Sequence, residues 1–478
     1  MHDSKQPSRR DILKAGAAAL AAPYVITSNA LGAEGRPPAS ERVTLAYIGM
    51  GGRGRGNMQE ALSCADAQVL AVCDVWDQRR DLAKSMVDKH YSSTDCSAYV
   101  DFREILARRD VDAVSIASPD HWHVPMAVMA AKAGKDVSVE KPLGMSVAED
   151  QICRDVVKRY ARVFQYGSEA RMNAAVRFGC ELIRNGRVGE LREIRVKAPT
   201  MDRIGVRYSN GAWVPSSDPK VHRYIHGVPP QPKPAPKGLN YDLWLGPAPW
   251  RPHVGCHELG HNWFHVYDYS LGFIAGWGAH PLDLMQWAFD THLDGPWEVE
   301  GTGAIPTPAE GVNDAIFHWD VRIRLASGVT ISFFAHTMAK DEPPEFAHDQ
   351  SKNPYPQMLG VAGNYVQFIG SEGWIAIPYS GEYCSEPKSL CEAKLGPDAV
   401  RLPVGTGQER NFIECVRTRK QPVCDIDDAV RTDSLCHISD IAIRTGRKIV
   451  WDPIKEEIIG DEEASRRLSR AMRVPWQI

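Results

Sequence analysis

The chain has 478 residues, 43% hydrophobic and 24% charged, enough for two or more globular domains with a buried core in each. Lys and Arg number 56 against 60 Asp and Glu, and the formal charge of -4 gives no field suited to a nucleic acid or an anionic membrane. A small-molecule partner is the expectation.

In chain order, Ser8-Arg9-Arg10 precede Ile12-Leu13-Lys14, an Ala-rich apolar run and small residues. This start resembles a twin-arginine export signal, with a frayed basic helix as the alternative. The apolar run is too short for a comfortable membrane span. Residues 1–33 are therefore expected to be a signal cut near Ala30 or Ala33, which leaves no membrane span and a periplasmic or exported chain. Eleven cysteines, odd in number and without a CxxC pair, do not form a disulfide framework. Cys384 with Cys391, or Cys415 with Cys424, are the pairs open to an oxidising compartment, and buried free thiols are the preferred reading.

A strand is predicted over Val43 to Ile48, then a glycine turn and a helix from near Arg55. Next come the strand "QVLAVCD", a helix over Arg79 to His90, the segment "SAYVDFREIL", the strand "DAVSIAS", a helix from His123 closed by Gly134, and the strand "DVSVE". Alternating strands and helices argue for a parallel sheet over residues 41–164. From 165 to 453 the language becomes antiparallel, with hairpin turns at Ser327-Gly328 and Glu372-Gly373. Between them lies a proline-rich arm, 228–252, expected to be extended and on the surface. An amphipathic helix pair ends at Gly446, and residues 454–478 form a C-terminal tail. The fold class is α/β, a doubly wound parallel sheet followed by a second α/β domain.

Gly49-Met50-Gly51-Gly52-Arg53-Gly54 satisfies GxGxxG directly after a strand and at a helix start. That context suits a dinucleotide, whose pyrophosphate meets the helix N-terminus. Asp74 stands 20 residues on (54 to 74), where a carboxylate binds the ribose hydroxyls and repels a 2'-phosphate. NAD is favoured, while Arg79 and Arg80 leave NADP open. The carboxyl ends of the fourth and fifth strands carry Ser118, Asp120, His121 and His123, then Glu140-Lys141-Pro142, and these should face the nicotinamide end of the crevice.

Together with "GWGAHPLDLMQW", these motifs resemble the glucose-fructose oxidoreductase, inositol dehydrogenase and MocA (Gfo/Idh/MocA) family over residues 41 to 453. The resemblance implies an N-terminal Rossmann domain, a C-terminal domain on an open and mostly antiparallel sheet, NAD(P)-linked oxidation or reduction of sugar-like alcohols, and a homo-oligomer built through that sheet. Carried over, the family's EKP lysine falls on Lys141, its histidine on His280 and its acid one turn later on Asp283. The family aspartate four residues before the histidine is Gly276 here. Tyr267, Asp268 and Tyr269 are the candidates to complete the proton relay, and Arg171, Tyr267, Tyr269, Trp277, His280 and Asp283 the candidate sugar contacts.

Oxidising a ring alcohol needs a base for the hydroxyl proton and a nicotinamide to accept hydride from the same carbon. His280 is the first choice as acid/base, with Lys141 polarising the oxygen. An exported oxidoreductase with tightly held cofactor, favouring C3 of a sugar or glycoside, is the leading reading. The alternatives are a redox-neutral glycosidase that oxidises, eliminates, hydrates and re-reduces, and a non-catalytic sugar-binding protein. Of the aromatic cluster Tyr241, Trp244, Trp250, Trp263 and Trp277, any one offers a face for sugar stacking or for packing.

One competing motif, His257-Glu258-Leu259-Gly260-His261, matches the HExxH of zinc peptidases. Pro252, Gly255 and Gly260 break the continuous helix such a site requires, so no metal is expected. His257, His261 and His265 are read as polar lining near His280.

Overall fold

The computed structural model describes residues 32, 35, 37–199, 206–209, 212–215, 232–253, 262–305, 314–316, 318–335, 364–379, 381, 383–392 and 394–478. The expected signal, the first prolines of the arm and the HExxH segment lie outside them. The chain divides into a short unit, Met1–Arg42, and a large one, Val43–Ile478. Within the short unit the described structure is a single turn of 3-10 helix, Ala39–Glu41.

The large unit begins with a six-stranded sheet of β1 (Val43–Ile48), β2 (Ala67–Cys73), β3 (Ser97–Tyr99), β4 (Ala113–Ile116), β5 (Asp136–Val139) and β6 (Phe164–Tyr166). Its order is β3-β2-β1-β4-β5-β6, all pairs parallel. Every residue of β4 and β5 is buried, as expected for a sheet covered on both faces. The covering helices include α1 (Gly52–Leu62), α2 (Asp77–Tyr91), α3 (Phe102–Leu106), α4 (His123–Lys132) and α5 (Val147–Arg159). The order reverses between β1 and β4, which puts the crevice at their carboxyl ends. Helix α1 starts at Gly52, one turn before the predicted Arg55, because the glycine turn itself enters the helix. Strand β6 straddles the expected boundary at 164/165.

After α6 (Ala174–Arg184) the chain builds a second sheet from β7 (Leu191–Lys197), β10 (Trp297–Ala304), β11 (His318–Arg324), β12 (Thr330–Ala335), β13 (Tyr365–Gly370), β14 (Gly373–Pro378), β15 (Cys384–Glu386), β16 (Ile449–Asp452) and β17 (Glu457–Ile458). A separate hairpin pairs β8 (Val206–Ser209) with β9 (Ala212–Pro215). The nine-stranded order is β15-β14-β13-β7-β12-β11-β10-β16-β17, with β7–β12 its one parallel pair. On β11 the alternation is strict: Trp319, Val321 and Ile323 are buried, whereas Asp320, Arg322 and Arg324 are exposed. The buried face packs on α7 (Ala279–Ala288) and on the longest helix, α9 (Ile426–Thr445).

Three expectations change. Helix α9 is buried nearly all round rather than amphipathic, since it runs between the two sheets and meets α5, α7 and β10. The arm is not simply extended: Tyr241–Leu245 form a helical turn, and Trp244, Leu245 and Ala248 are buried. Trp122 Nε1 donates to Leu243 O at 3.0 Å, so the arm packs on the first domain. The C-terminal residues are no loose tail either, because Trp476 packs edge-on against Trp122 at 4.7 Å. Helix α8 (Gln408–Thr418) likewise returns to the first sheet, where Tyr47 Oη donates to Glu409 at 2.6 Å. Cys64, Cys73, Cys96, Cys153, Cys180, Cys391, Cys415, Cys424 and Cys436 are free thiols, and among the described residues no helix is long and apolar enough to cross a membrane.

Candidate active site

The glycine turn is built by close approach. Gly49 has φ +86°, and a Cβ there would stand 2.6 Å from the Ser118 nitrogen. A Cβ on Gly54 would run into the Gly49 carbonyl, so helix and turn fit only without side chains at both positions. Gly51 and Gly52 have nothing within 4 Å of where a Cβ would be. Their backbone therefore borders open space at the N-terminus of α1, which has neither a side-chain cap nor an acid in its first turn. Free N–H groups and the positive end of the helix dipole meet there, as a pyrophosphate requires. Asp74 closes the turn: Oδ2 accepts from Met50 N at 2.7 Å and Oδ1 from Trp76 N at 2.8 Å. Burial raises its pKa above the usual carboxylate value, against the pull of Arg79 and the two backbone donors. The lone pairs left on the carboxylate suit a ribose diol.

At the other end of the crevice a chain of charges crosses between the domains. Arg53 Nε donates to Glu140 at 2.6 Å, and its Nη2 pairs with Glu169 at 2.6 Å. Asn57 donates to Glu140 at 3.0 Å, and Tyr379 Oη donates to Glu169 at 2.5 Å. Burial pushes the Glu140 pKa up, yet Arg53 and Lys141 outweigh it and hold the carboxyl below its usual range. Arg53 and Glu140, expected at the cofactor, thus spend their charge on each other at the crevice mouth.

Lys141 is partly exposed, and its Nζ donates to the Gly276 carbonyl at 2.5 Å. The rings of Trp277 and Phe264 lie 5.6 and 5.9 Å from Nζ. Burial lowers the lysine pKa, opposed by Glu140 and Asp120. His280, in the first turn of α7, is 5% exposed and its Nδ1 has no partner among the described residues. Its ring centroid lies 4.6 Å from that of Tyr379 and 5.5 Å from that of Trp277. Burial, with the cations of Lys141 and Arg53, drives its pKa well below the ordinary histidine value, so the imidazole is neutral.

Several expected site residues are braces instead. The ring nitrogens of His123 face the carbonyls of Pro142 (2.6 Å) and Ser118 (2.9 Å), tying the two loops together. Those of His121 face Trp244 O (3.0 Å) and Tyr269 O (3.4 Å), and burial pushes its pKa down to about 4. Neither ring has a nitrogen left for a cofactor, which corrects the assignment of both. Ser118 stays at the crevice, its Oγ buried and without a partner among the described residues.

Arg171 and Asp283, expected at the substrate, answer each other in the interior. They form a bidentate pair, at most 1% exposed, with bonds of 2.6 and 2.8 Å, while Arg171 also reaches Asp428 and Ser168 donates to Asp283. Tyr267 donates to Asp440 at 3.0 Å between the guanidinium groups of Arg444 and Arg470, and Asp268 pairs with Arg251 at 2.7 Å. Tyr269 is fully buried against His121 and Trp244. The three relay candidates thus turn to Asp440, Arg251 and the His121–Trp244 core. Of the aromatic cluster, Trp244 is core, Trp250 is 67% exposed, and Trp277 lies beside both Lys141 and His280.

Sequence reasoning missed Asn57, Glu169 and Tyr379. Asn57 is four residues past Arg53 on α1, and Glu169 follows β6 much as Glu140 follows β5, so both had a positional signal. Tyr379 comes from the end of β14 and had none. The described residues also bring Asp150, Asp433 and His437 within 4.8 Å of one another. That set lies in the seam of α5 and α9, where Asp433 accepts from Leu143 N and Tyr166 Oη and His437 faces Asp150.

Comparison with known proteins agrees with this architecture. Residues 43–168 match the family described as "Oxidoreductase family, NAD-binding Rossmann fold", and residues 224–348 and 393–478 match its "C-terminal alpha/beta domain". A curated relative, an alpha-N-acetylgalactosaminidase from Shewanella oneidensis, is 29% identical over 211 residues, covering 38% of this chain and 44% of the relative. The chain thus spans less than half the length of that relative. Among solved structures, an aldose-aldose oxidoreductase from Caulobacter crescentus complexed with glycerol is similar at TM-score 0.56 and 16% identity, over 86% of this chain and 99% of the other. A levoglucosan dehydrogenase in complex with NADH and levoglucosan is similar at 0.55 and 16%, over the same shares. At these identities the likeness is one of fold.

Proposed function

Because the chain belongs to the Gfo/Idh/MocA oxidoreductase family and carries its NAD-binding Rossmann domain, we propose that it oxidises a ring hydroxyl of a sugar or glycoside. The observation that carries this reading is the pairing of Lys141 with neutral His280 around Trp277, at the open end of the dinucleotide crevice. The backbone at Gly51 and Gly52 would hold the pyrophosphate of NAD and Asp74 its ribose, and the bound cofactor would supply the hydride acceptor.

Relative to the sequence expectation, Lys141 and His280 exchange roles. Burial and the neighbouring Arg53 cation oppose a proton on His280, so this imidazole is a poor acceptor. Lys141, lowered by burial and partly exposed, takes the hydroxyl proton at Nζ while its bond to Gly276 O fixes the amine. His280 then hydrogen-bonds a sugar hydroxyl as a neutral ring, and Trp277 offers an aromatic face to the pyranose. Arg53, Glu169 and Tyr379 hold the wall behind His280.

The name of the Shewanella relative favours a second reading, the redox-neutral glycosidase. Oxidation at C3 acidifies the C2 proton, allows the aglycone to leave, and is reversed after water adds. Both readings share the first oxidation. Mass spectrometry of cofactor released from the purified protein, then product analysis on a glycoside panel, separates them. A keto-sugar with reduced cofactor supports the oxidoreductase, and free aglycone without net reduction supports the glycosidase. Sugar binding with neither product overturns both. We read residues 1–33 as an export signal that lets folded, cofactor-loaded protein leave the cytoplasm, and the open sheet as an oligomer contact.

A further inference from the structure

We propose that Asp120 is the carboxylate partner of Lys141, a positioning residue that stabilises the ammonium formed when the lysine takes the substrate proton. The inference deepens the oxidation proposed above and rests on it.

Strands β4 and β5 pair in parallel with Ile116 opposite Val139, so the loops leaving their carboxyl ends bring Asp120 and Lys141 to the same place. Both loops are tied to one segment of the second domain. His121 N donates to Tyr269 O at 3.3 Å, and Lys141 Nζ donates to Gly276 O. Asp120 is 1% exposed, and among the described residues no charged donor holds either of its carboxylate oxygens, the neutral Ser270 hydroxyl being its side-chain hydrogen-bond neighbour. A carboxylate buried in that way is costly unless a cation or a proton answers it.

Elimination identifies the partner. The charged groups that act on Lys141 are Glu140, Asp120, Arg53 and Glu169, and Lys141 acts in turn on His280. Glu140 is taken by Arg53 and Asn57, and Glu169 by Arg53 and Tyr379. Asp120 is the acid of this set with no other cation paired to it among the described residues. On its side the neighbours are the Ser270 hydroxyl, Lys141 as the cation, and Asp433, which acts in the opposite sense. Gly276 offers no alternative, because a side chain there would collide with the Phe264 ring.

In the working step the substrate O–H bond breaks, an N–H bond forms at Nζ, and the carbon–hydrogen electron pair leaves as hydride to the nicotinamide. The new ammonium then faces the Asp120 carboxylate instead of an uncompensated interior.

The test is Asp120→Asn in the NAD-loaded full chain, with the ionisation of Lys141 followed by NMR of labelled lysine side chains. The Lys141 signal is the one absent from Lys141→Arg. Loss of the negative neighbour should move that titration to lower pH and carry the acidic limb of kcat/KM with it. On sugars, kcat should fall by roughly ten-fold or more with KM little changed, and Asp120→Glu should recover part of both. An unmoved Lys141 titration in a variant that still melts cooperatively and binds NAD overturns the proposal. So does lost NAD affinity with an unmoved titration, which would assign Asp120 to the cofactor. If Asp120→Asn does not fold, Asp120→Ala is read in its place, and an unmoved Lys141 titration there overturns the proposal as well. The titration needs no turnover, so failure to find a sugar substrate is distinguishable from failure of this pairing.

Discussion

Phe264 occupies the space that a side chain on Gly276 would need, while the Gly276 carbonyl accepts the Lys141 ammonium at 2.5 Å. The position thus serves the lysine through its backbone and admits nothing larger than hydrogen. Gly276→Asp should destabilise the protein by about 1–3 kcal/mol through overpacking. Adding Phe264→Ala should return a good part of that loss. Thermal melts of the single and double variants check it, and two simply additive losses would refute the steric account.

Arg171 and Asp283 are a buried pair, and removing one partner leaves the other charge without compensation. Asp283→Ala should cost about 3–5 kcal/mol in urea unfolding. Measured where the variant is still folded, the sugar KM should stay near the wild-type value. A raised KM with unchanged stability would return Asp283 to the substrate site.

Asp74 holds the turn through Met50 N and Trp76 N as well as facing the ribose. Asp74→Ala should weaken NAD binding by about 1.5–3 kcal/mol, roughly ten- to a hundred-fold, as for a lost bond to a charged group. With Arg55 and Arg79 left beside it, the relative preference for NADP should rise. Calorimetry with both cofactors reads the two effects.

Burial pushes Glu409 up to about 8 and Asp433 up to about 7. These acids bind more protons folded than unfolded between their ordinary values and those values, so their contribution to stability is lost as pH rises. Buried histidines such as His121 act in the opposite sense, but only below about pH 6.5. Stability should therefore fall between about pH 6.5 and about pH 8. Glu409→Gln, which still accepts from Tyr47, should flatten that slope, and urea unfolding across the window measures it.

Much of the first domain was legible because its signals are local. Gly49, Gly51, Gly54 and Asp74 act within one strand-turn-helix-strand unit, and residue spacing alone reports that geometry. Lys141 and His280 were legible through family resemblance. The protein partners of His121, His123, Arg171, Tyr267 and Asp283 were not legible, because a polar residue near a motif looks the same in sequence whether it meets a ligand or another part of the chain. The buried interior of α9 was hidden for a related reason: its Asp433, His437 and Asp440 read as a polar face until their partners are seen on other elements.

From sequence alone came the parallel-then-antiparallel order of domains and the dinucleotide turn with its acid after the second strand, since strand periodicity and glycine spacing are properties of short segments. Tertiary structure decided which charges are answered. Arg53 reaches Glu169, Tyr379 reaches the wall of His280, and Phe264 forbids a carboxylate at Gly276, all across contacts that no local spacing encodes. A side chain's proton affinity depends on what surrounds it in space, and so the burial and charged neighbours of Lys141 and His280 had to wait for the packed chain.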